Sequence, residues 1–165
     1  MFTTFSLLKS QEVNADEKRQ FWRLLETYSK TDAGNWMNDF QWRAFIINWC
    51  PAMLDSDGVM GAYVPWLGNK VFLLPSDSPV VAGREDYWPG LIASTLVHEL
   101  RHAWQYRRNP ILYVICCLPV LREFTLERDA WAITKPAEDF FAELDNLHAS
   151  QKFEEWHAKR KEVTP

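Results

Sequence analysis

Two histidines and a glutamate near the middle of the chain have the types and spacing of a metal-dependent hydrolytic site. His98 and His102 are four residues apart, so on a helix both imidazoles lie on one face, one turn apart. Two ring nitrogens placed in this way can bind the same zinc ion. Glu99 follows the first histidine, and from there its carboxylate can reach a zinc-bound water without being a ligand itself. This is the arrangement of zinc peptidases, and it predicts a zinc-dependent hydrolase with Glu99 as the catalytic base.

A catalytic zinc site needs a third protein ligand besides the two histidines. The pattern with a third histidine six residues after the second is absent, because Arg108 stands there. A carboxylate from a following helix is the other common source, and three residues qualify: Glu123, Glu127 and Asp129. We favour Glu127, because 25 residues separate it from His102 and leave room for the chain to return. The other two acids are then expected to support the ligands or to face solvent.

Residues 98–105 and 126–130 resemble the gluzincin branch of the zincin metallopeptidases. The resemblance is greatest to the compact minigluzincins and their relatives in bacteria and phages, and it covers about residues 59–134. It implies that His98, His102 and Glu127 bind Zn2+, and that the substrate is a peptide or protein. By the same resemblance Glu99 is the catalytic base. Residues 70–74 would form a sheet-edge strand above the metal, where an extended peptide can pair.

Two supporting roles, the hydrogen-bond partner of a ligand histidine and the stabiliser of the oxyanion, have candidates but no single residue that the sequence assigns. Many gluzincins carry an acidic or amide residue four positions after the glutamate ligand, where it braces a histidine, but Trp131 stands there in this chain. Asp129 is a candidate for that role, since ligand histidines usually have a hydrogen-bond partner. Four residues are candidates for stabilising the oxyanion, each more often structural than catalytic: Tyr106, Tyr113, His148 and His157.

Three other interpretations of the motif stay open. A zincin-like fold can serve as a non-catalytic or regulatory zinc-binding module. A second interpretation is amide hydrolysis on a non-protein substrate, or a deformylase-like enzyme with an upstream cysteine as third ligand, but the surroundings of Cys50 lack the glycine-containing pattern of deformylases. In a structural protein the motif would be accidental, and a chance match in a chain of this length is about one in a hundred.

Composition and charge narrow the class of protein. A chain of 165 residues with 47% hydrophobic residues predicts a single domain with a substantial core. Its nine tryptophans predict a dense aromatic core, with the alternative that some line a binding cleft. The net charge of −4, without a basic run, argues against a nucleic-acid partner.

The sequence also predicts a cytoplasmic protein without a membrane partner. The N-terminus lacks the features of a secretory signal, and the three cysteines, two of them adjacent, do not form a disulfide framework. The longest apolar run, residues 111–118, is far too short to span a bilayer. We expect this run to be buried core.

The elements that position the motif follow from periodicity and capping. Asn14 and Glu17 form a capping box that predicts a helix to about Ser29. Residues 40–49 fit either a helix or a strand, and residues 55–58 are a turn. Residues 59–64 and 70–74 predict a hairpin around Gly68, and a loop is expected from 75 to 85. Pro89 opens a helix to about Arg107 that carries the motif and is apolar over most of its surface.

Two further helices are predicted near the C-terminus. One spans about residues 121–134 and ends at Pro136, and the other continues toward Lys161 with a bend near residues 149–150. The expected fold is α+β and zincin-like, with a small antiparallel hairpin packed on the motif helix. Its parts are a helical region at 1–58, a catalytic core at 59–134 and a C-terminal helix at 135–165. The last of these is a candidate cover for the cleft.

Overall fold

The computed structural model describes residues 10–51, 60–75 and 88–162, with the side chains of 88–89, 119–120 and 149–162 excepted. The described chain is α+β, as the sequence predicts. Its helices and strands are, in order, β1 (Gln11–Glu12), α1 (Ala15–Tyr28), β2 (Ile46–Trp49), β3 (Gly61–Tyr63), β4 (Lys70–Leu73), α2 (Trp88–Arg108), α3 (Pro110–Cys116), α4 (Pro119–Arg122) and α5 (Arg128–Glu162). A π-helical turn, Glu123–Glu127, joins α4 to α5. The predicted turn at 55–58 and nearly all of the predicted loop at 75–85 lie outside the described residues.

Helix α1 begins as the capping box predicts. The Asn14 side chain accepts from the backbone of Asp16 and Glu17, and the Glu17 carboxylate accepts from the Asn14 backbone at 3.0 Å. Phe21, Leu25 and Tyr28 are its buried residues. They pack in the main core, so α1 covers one side of the helix that carries the motif.

The four strands form one mixed sheet in the order β1-β2-β4-β3. The ambiguous segment before Cys50 becomes β2, which pairs parallel to β4, so the expectation of a purely antiparallel sheet is wrong. The predicted hairpin is present, since β3 pairs antiparallel to β4. The expectation that residues 70–74 form an edge strand is wrong, since β4 lies between two neighbours. Val71, Phe72 and Leu73 are all buried, which is typical of a strand covered on both faces. The edge strand on this side of the sheet is β3.

Helix α2 runs through the centre of the domain and carries the motif. Its apolar residues are buried, as the sequence predicts for a helix that is apolar over most of its surface: Ile92, Ala93, Leu96, Val97, Leu100 and Ala103. Pro89 lies in the first turn and Asn109 ends the helix by capping α3. Burial on nearly every side fixes the motif residues in place.

Helix α5 does not end at Pro136, and no break interrupts it near 149–150, because the backbone is helical from Arg128 to Glu162. Pro136 and Ala132 are both exposed, so water can satisfy the carbonyl that the proline leaves without a donor. Ala137 and Phe141 are buried in the core, and this packing carries the helix past the proline.

The course of α5 also argues against the expected C-terminal cover. The carboxylate of Asp145 already lies beside Gly90, at the start of α2. Each later residue of α5 lies about 1.5 Å further along the helix axis, beyond the N-terminal end of α2 and away from the motif.

The apolar run at 111–118 is not buried core, contrary to expectation. Helix α3 is seven residues long and turns only Tyr113 and Cys116 inward. Most of the run is exposed to solvent. Among the described helices, none has the length and apolar character needed to cross a bilayer.

Candidate metal centre

Three side chains predicted as ligands meet at the surface of α2. His98 and His102 point from the helix, and Glu127 reaches them from the end of the π-helical turn. Their Nε2 atoms are 3.1 Å apart, and the Glu127 Oε2 atom lies 3.2 Å from Nε2 of His98 and 3.5 Å from Nε2 of His102. Among the described residues, these three form a group that could hold a metal ion.

The triangle of ligand atoms has the size that a tetrahedral metal needs. Zinc bonds to imidazole nitrogen and carboxylate oxygen are about 2.0–2.1 Å long, which sets the edges of a regular tetrahedron at about 3.3 Å. The three observed separations, between 3.1 and 3.5 Å, bracket that value. The donor set of two imidazoles and one carboxylate therefore fits zinc in both chemistry and spacing.

Thr134 fixes the orientation of the His98 ring. The threonine hydroxyl donates to the carbonyl of Ala130 at 2.8 Å, so at the His98 contact, also 2.8 Å, it accepts from Nδ1–H. The proton on Nδ1 leaves a lone pair on Nε2, directed toward Glu127.

Gln105 does the same for His102. Its Nε2 group donates to the carbonyl of Leu126 and to the carboxylate of Asp129, which leaves its Oε1 atom to accept from Nδ1 of His102 at 2.9 Å. Asp129 also accepts two hydrogen bonds from Arg101, at 2.7 and 3.0 Å. The supporting role expected of Asp129 is therefore indirect: it holds Gln105, and Gln105 holds the histidine.

Two imidazole lone pairs and a carboxylate directed at one point repel one another unless a cation or a proton lies between them. Burial lowers the pKa of His102, but the hydrogen bond to Glu127 and the charge of Glu99 outweigh burial and raise it. The metal-free cluster thus favours a proton where a metal ion would bind, and metal binding would displace that proton.

Arg122 holds the far oxygen of the Glu127 carboxylate. Its Nε and Nη2 atoms lie 2.7 and 2.6 Å from Oε1, while Oε2 faces the histidines. Burial alone would raise the pKa of Glu127, but hydrogen bonds with the two histidines and the charge of Arg122 bring it well below its usual value. The carboxylate is ionised, as a ligand must be.

Glu99 is buried beside the cluster, under the edge strand β3. A Cβ atom placed on Gly61 would lie 2.8 Å from Cγ and 2.9 Å from Oε1 of Glu99, so the strand backbone passes directly over this side chain. Burial raises the pKa of Glu99, and the charges of His102 and His98 only partly counteract it. A carboxylate whose pKa is moved toward neutrality is suited to accept and return a proton.

A cavity of about 180 Å3 opens at the cluster. Its wall combines residues of α2, α4, the π-helical turn and α5 with the start of β3 and the residue before it: Met60, Gly61, Thr95, His98, Glu99, His102, Arg122, Glu127, Trp131, Thr134 and Glu138. Of the tryptophans, Trp42 is buried and four others pack against the core, as the aromatic-core prediction requires. Trp131 instead lines the cavity and contacts the His98 ring at 4.9 Å between centroids.

Several residues considered from the sequence are not part of the metal-binding group. Glu123 and His148 are exposed, and Tyr106 and Tyr113 contact each other and do not line the cavity, although Tyr113 is close enough to Glu99 and Arg122 to interact with their charges. Cys50 is buried with Phe72 and Leu74 and is not part of the metal-binding group, which removes support for a deformylase-like ligand set. His157 lies where side chains are not described.

Four residues of the site were not identified from the sequence: Gln105, Arg122, Thr134 and Gly61. Two of them carried a usable signal. Gln105 is three residues after His102 on the same helix, and Thr134 is two turns after Glu127, so each can face its partner. The role of Arg122 depends on the π-helical turn, and that of Gly61 depends on the order of the strands in the sheet. No local sequence pattern predicted either feature.

Comparison of the chain with protein-family models, curated proteins and solved structures finds no match. Fold alone does not define function, and the chemistry of a site does. The function is therefore inferred from the chemistry of the His98–His102–Glu127 cluster and its neighbours.

Proposed function

We propose that this protein is a zinc-dependent metallopeptidase with a zincin-like fold. The observation that carries the proposal is the triangle of two Nε2 atoms and one carboxylate oxygen, open toward a cavity that also contains Glu99. Three protein ligands with one free position are typical of catalytic zinc sites, whereas structural sites use four.

The metal itself would supply a Lewis acid that lowers the pKa of a water molecule and polarises a substrate carbonyl. Glu99 takes the proton from the attacking water and returns it to the leaving amine. Its burial supports this role, because desolvation raises the pKa of Glu99 and makes its carboxylate a stronger base than that of an exposed glutamate. Thr134 and Gln105 keep both histidine rings in the tautomer that binds metal.

A peptide substrate is favoured by the position of β3. This strand pairs with β4 on one side, and no other strand in the described part of the chain pairs with its outer edge. Met60 and Gly61, at the start of the strand, line the cavity beside Glu99. An extended peptide that added to this edge would pass over the cluster with its backbone hydrogen-bonded to β3. The edge strand of the proposal is thus β3 rather than residues 70–74.

Replacing Glu99 by glutamine tests the proposal. Glu99→Gln should retain zinc and lose hydrolysis of a mixed peptide library by about 100-fold or more, because only the proton acceptor is removed. Glu123→Gln, a change at a nearby exposed acid outside the cavity, should leave the cleavage rate unchanged.

Two results would contradict a peptidase. One is equal cleavage by Glu99→Gln and wild type. The other is stable zinc binding by a wild-type protein that cleaves nothing in the library, which would favour the non-catalytic zinc-binding module.

A further inference from the structure

The outward side of the segment between α2 and α5 is apolar and exposed. Between 41% and 74% of each of seven large side chains is accessible to solvent. We call this the α3–α4 apolar surface, and it comprises Ile111, Leu112, Val114, Ile115, Leu118, Leu121 and Phe124. Soluble monomers rarely expose contiguous apolar patches beyond a few hundred Å2, and larger ones mark sites of interaction.

Packing within the chain does not explain why these exposed side chains are apolar. Tyr113, Cys116 and Leu126 are the buried residues of a small separate cluster beneath the segment, with Tyr106 packed against them. The outer positions are not among the buried residues of that cluster, and a helix whose outer face met only water would carry polar residues there.

The charges that flank this segment in sequence have one dominant sign. Residues 109–121 contain no Asp, Glu, Lys or Arg. Exposed arginines stand on both sides of this uncharged stretch: Arg107, Arg108, Arg122 and Arg128. Two of them also have partners within the chain, since Arg107 donates to Asn69 and Arg122 donates to Glu127. With Glu123 and Glu127 as the acids between 107 and 128, this region carries +2, while the whole chain carries −4.

We propose that the α3–α4 apolar surface binds the surface of a lipid bilayer that contains anionic lipids. Apolar side chains flanked by arginines suit the boundary between acyl chains and phosphate headgroups. The thirteen uncharged residues from 109 to 121 are too few to span a bilayer, so the segment lies in its surface. This proposal replaces the sequence-based expectation of no membrane partner, and it does not depend on the proposed peptidase activity.

A second copy of the chain is a poorer occupant of this surface. In a symmetric dimer the same patch serves both partners, so each set of arginines would lie close to its own copy. Such an arrangement brings like charges together, whereas anionic headgroups would neutralise them.

Sedimentation with lipid vesicles tests the proposal. Wild-type protein should sediment with vesicles of phosphatidylcholine and phosphatidylglycerol, more strongly than with phosphatidylcholine alone. The combined change Ile111→Ser, Leu118→Ser and Phe124→Ser should weaken binding by about tenfold or more. Leu147→Ser, which alters an equally exposed leucine on α5, should not. Arg108→Gln should weaken binding to the anionic vesicles by about fivefold.

Circular dichroism and thermal unfolding show whether the triple variant folds. If it does not, Ile111→Ser alone and Arg108→Gln provide the test, since each changes one exposed side chain. The proposal is wrong if the wild type does not bind anionic vesicles, or if the folded variants bind as well as the wild type. It is equally wrong if sedimentation velocity finds a dimer that the apolar changes dissociate while vesicle binding is absent.

Discussion

The Nδ1 atom of His98 and the hydroxyl oxygen of Thr134 lie 2.8 Å apart, and this contact joins α2 to α5 beside the His98–His102–Glu127 cluster. The hydroxyl proton is already donated to the carbonyl of Ala130, so the contact accepts the ring proton. One side chain on a second helix thus decides which nitrogen of the histidine carries the proton and which faces Glu127, where the proposed metal would bind.

Thr134→Val removes that acceptor while keeping the shape of the side chain. The His98 ring is then free to change tautomer, and zinc affinity should fall by about 10- to 100-fold. Competition with a chromophoric chelator measures the affinity. Thr134→Ser, which keeps the hydroxyl, should bind zinc nearly as well as the wild type. Equal affinity in the valine variant would show that the contact does not orient the ring.

Arg122→Gln tests whether the arginine positions the carboxylate ligand. Loss of the contacts to Oε1 of Glu127 should reduce zinc affinity by about tenfold, because the carboxylate is no longer held at the end of the π-helical turn. Arg128→Gln changes the exposed arginine that follows Glu127 in sequence, and it should have little effect on zinc affinity. Equal losses in both variants would point to a general effect of charge rather than to positioning.

Asp129→Asn should destabilise the fold. Arg101 is buried and would keep its charge without an ionised partner, although it remains stacked over the Trp104 ring. We expect a loss of about 1–2 kcal/mol in the free energy of unfolding, less than for a fully buried pair because Asp129 is 42% exposed. Urea unfolding of the metal-free protein measures it. A stability equal to wild type would show that the pair contributes nothing net.

Gly61→Ala should impair Glu99 without removing the metal. The new Cβ would lie 2.7 Å from Thr95 and 2.8–2.9 Å from Glu99, so the carboxylate must shift. If the peptidase proposal holds, the turnover number should fall by about 100-fold while zinc stoichiometry stays at one. Ala62→Ser, at the next position of the strand and on its other face, is the control. Full activity in Gly61→Ala would mean that β3 does not constrain Glu99.

The alkaline side of the stability profile depends in part on Tyr28, one of three tyrosines whose pKa is raised by burial, with Tyr63 and Tyr113. Burial raises the pKa of Tyr28 to about 12, and its hydroxyl donates to the carbonyl of Ile133. An unfolded chain ionises this group near pH 10, so the unfolded state loses the proton first. The stability that the neutral hydroxyl contributes is complete below pH 10 and is lost as pH rises to about 12. Tyr28→Phe should flatten this decline in chemical unfolding, and an unchanged slope would contradict it.

Local patterns predicted the features that depend on neighbouring residues. The capping box of Asn14 and Glu17 and the start of α2 at Pro89 follow from single turns of helix, and the structure has both. The proximity of Glu127 to the histidines was also predicted, because the spacing left room for one chain reversal. Its role as a ligand stays a prediction until metal binding is measured.

The errors concern packing between distant segments. Pro136 does not end a helix because Ala137 and Phe141 are buried by partners far away in sequence. Strand β4 is internal because β2 pairs with it. The sequence did not predict this pairing, because the periodicity of residues 40–49, which contain β2, fits a helix as well as a strand. The run at 111–118 is exposed because its helix is too short to turn more than two residues inward. Hydrophobicity alone does not distinguish a core from an interaction surface.

Zinc bound per chain is the most direct test of the central claim that His98, His102 and Glu127 hold one metal ion. The protein would be loaded with zinc, freed of excess without chelators and analysed by elemental mass spectrometry. We expect one zinc per chain in the wild type and in Glu123→Gln, and less than about a tenth of that in His102→Gln and Glu127→Gln. A wild type without stoichiometric zinc, or ligand variants that retain it, would show that these three residues do not form a zinc site.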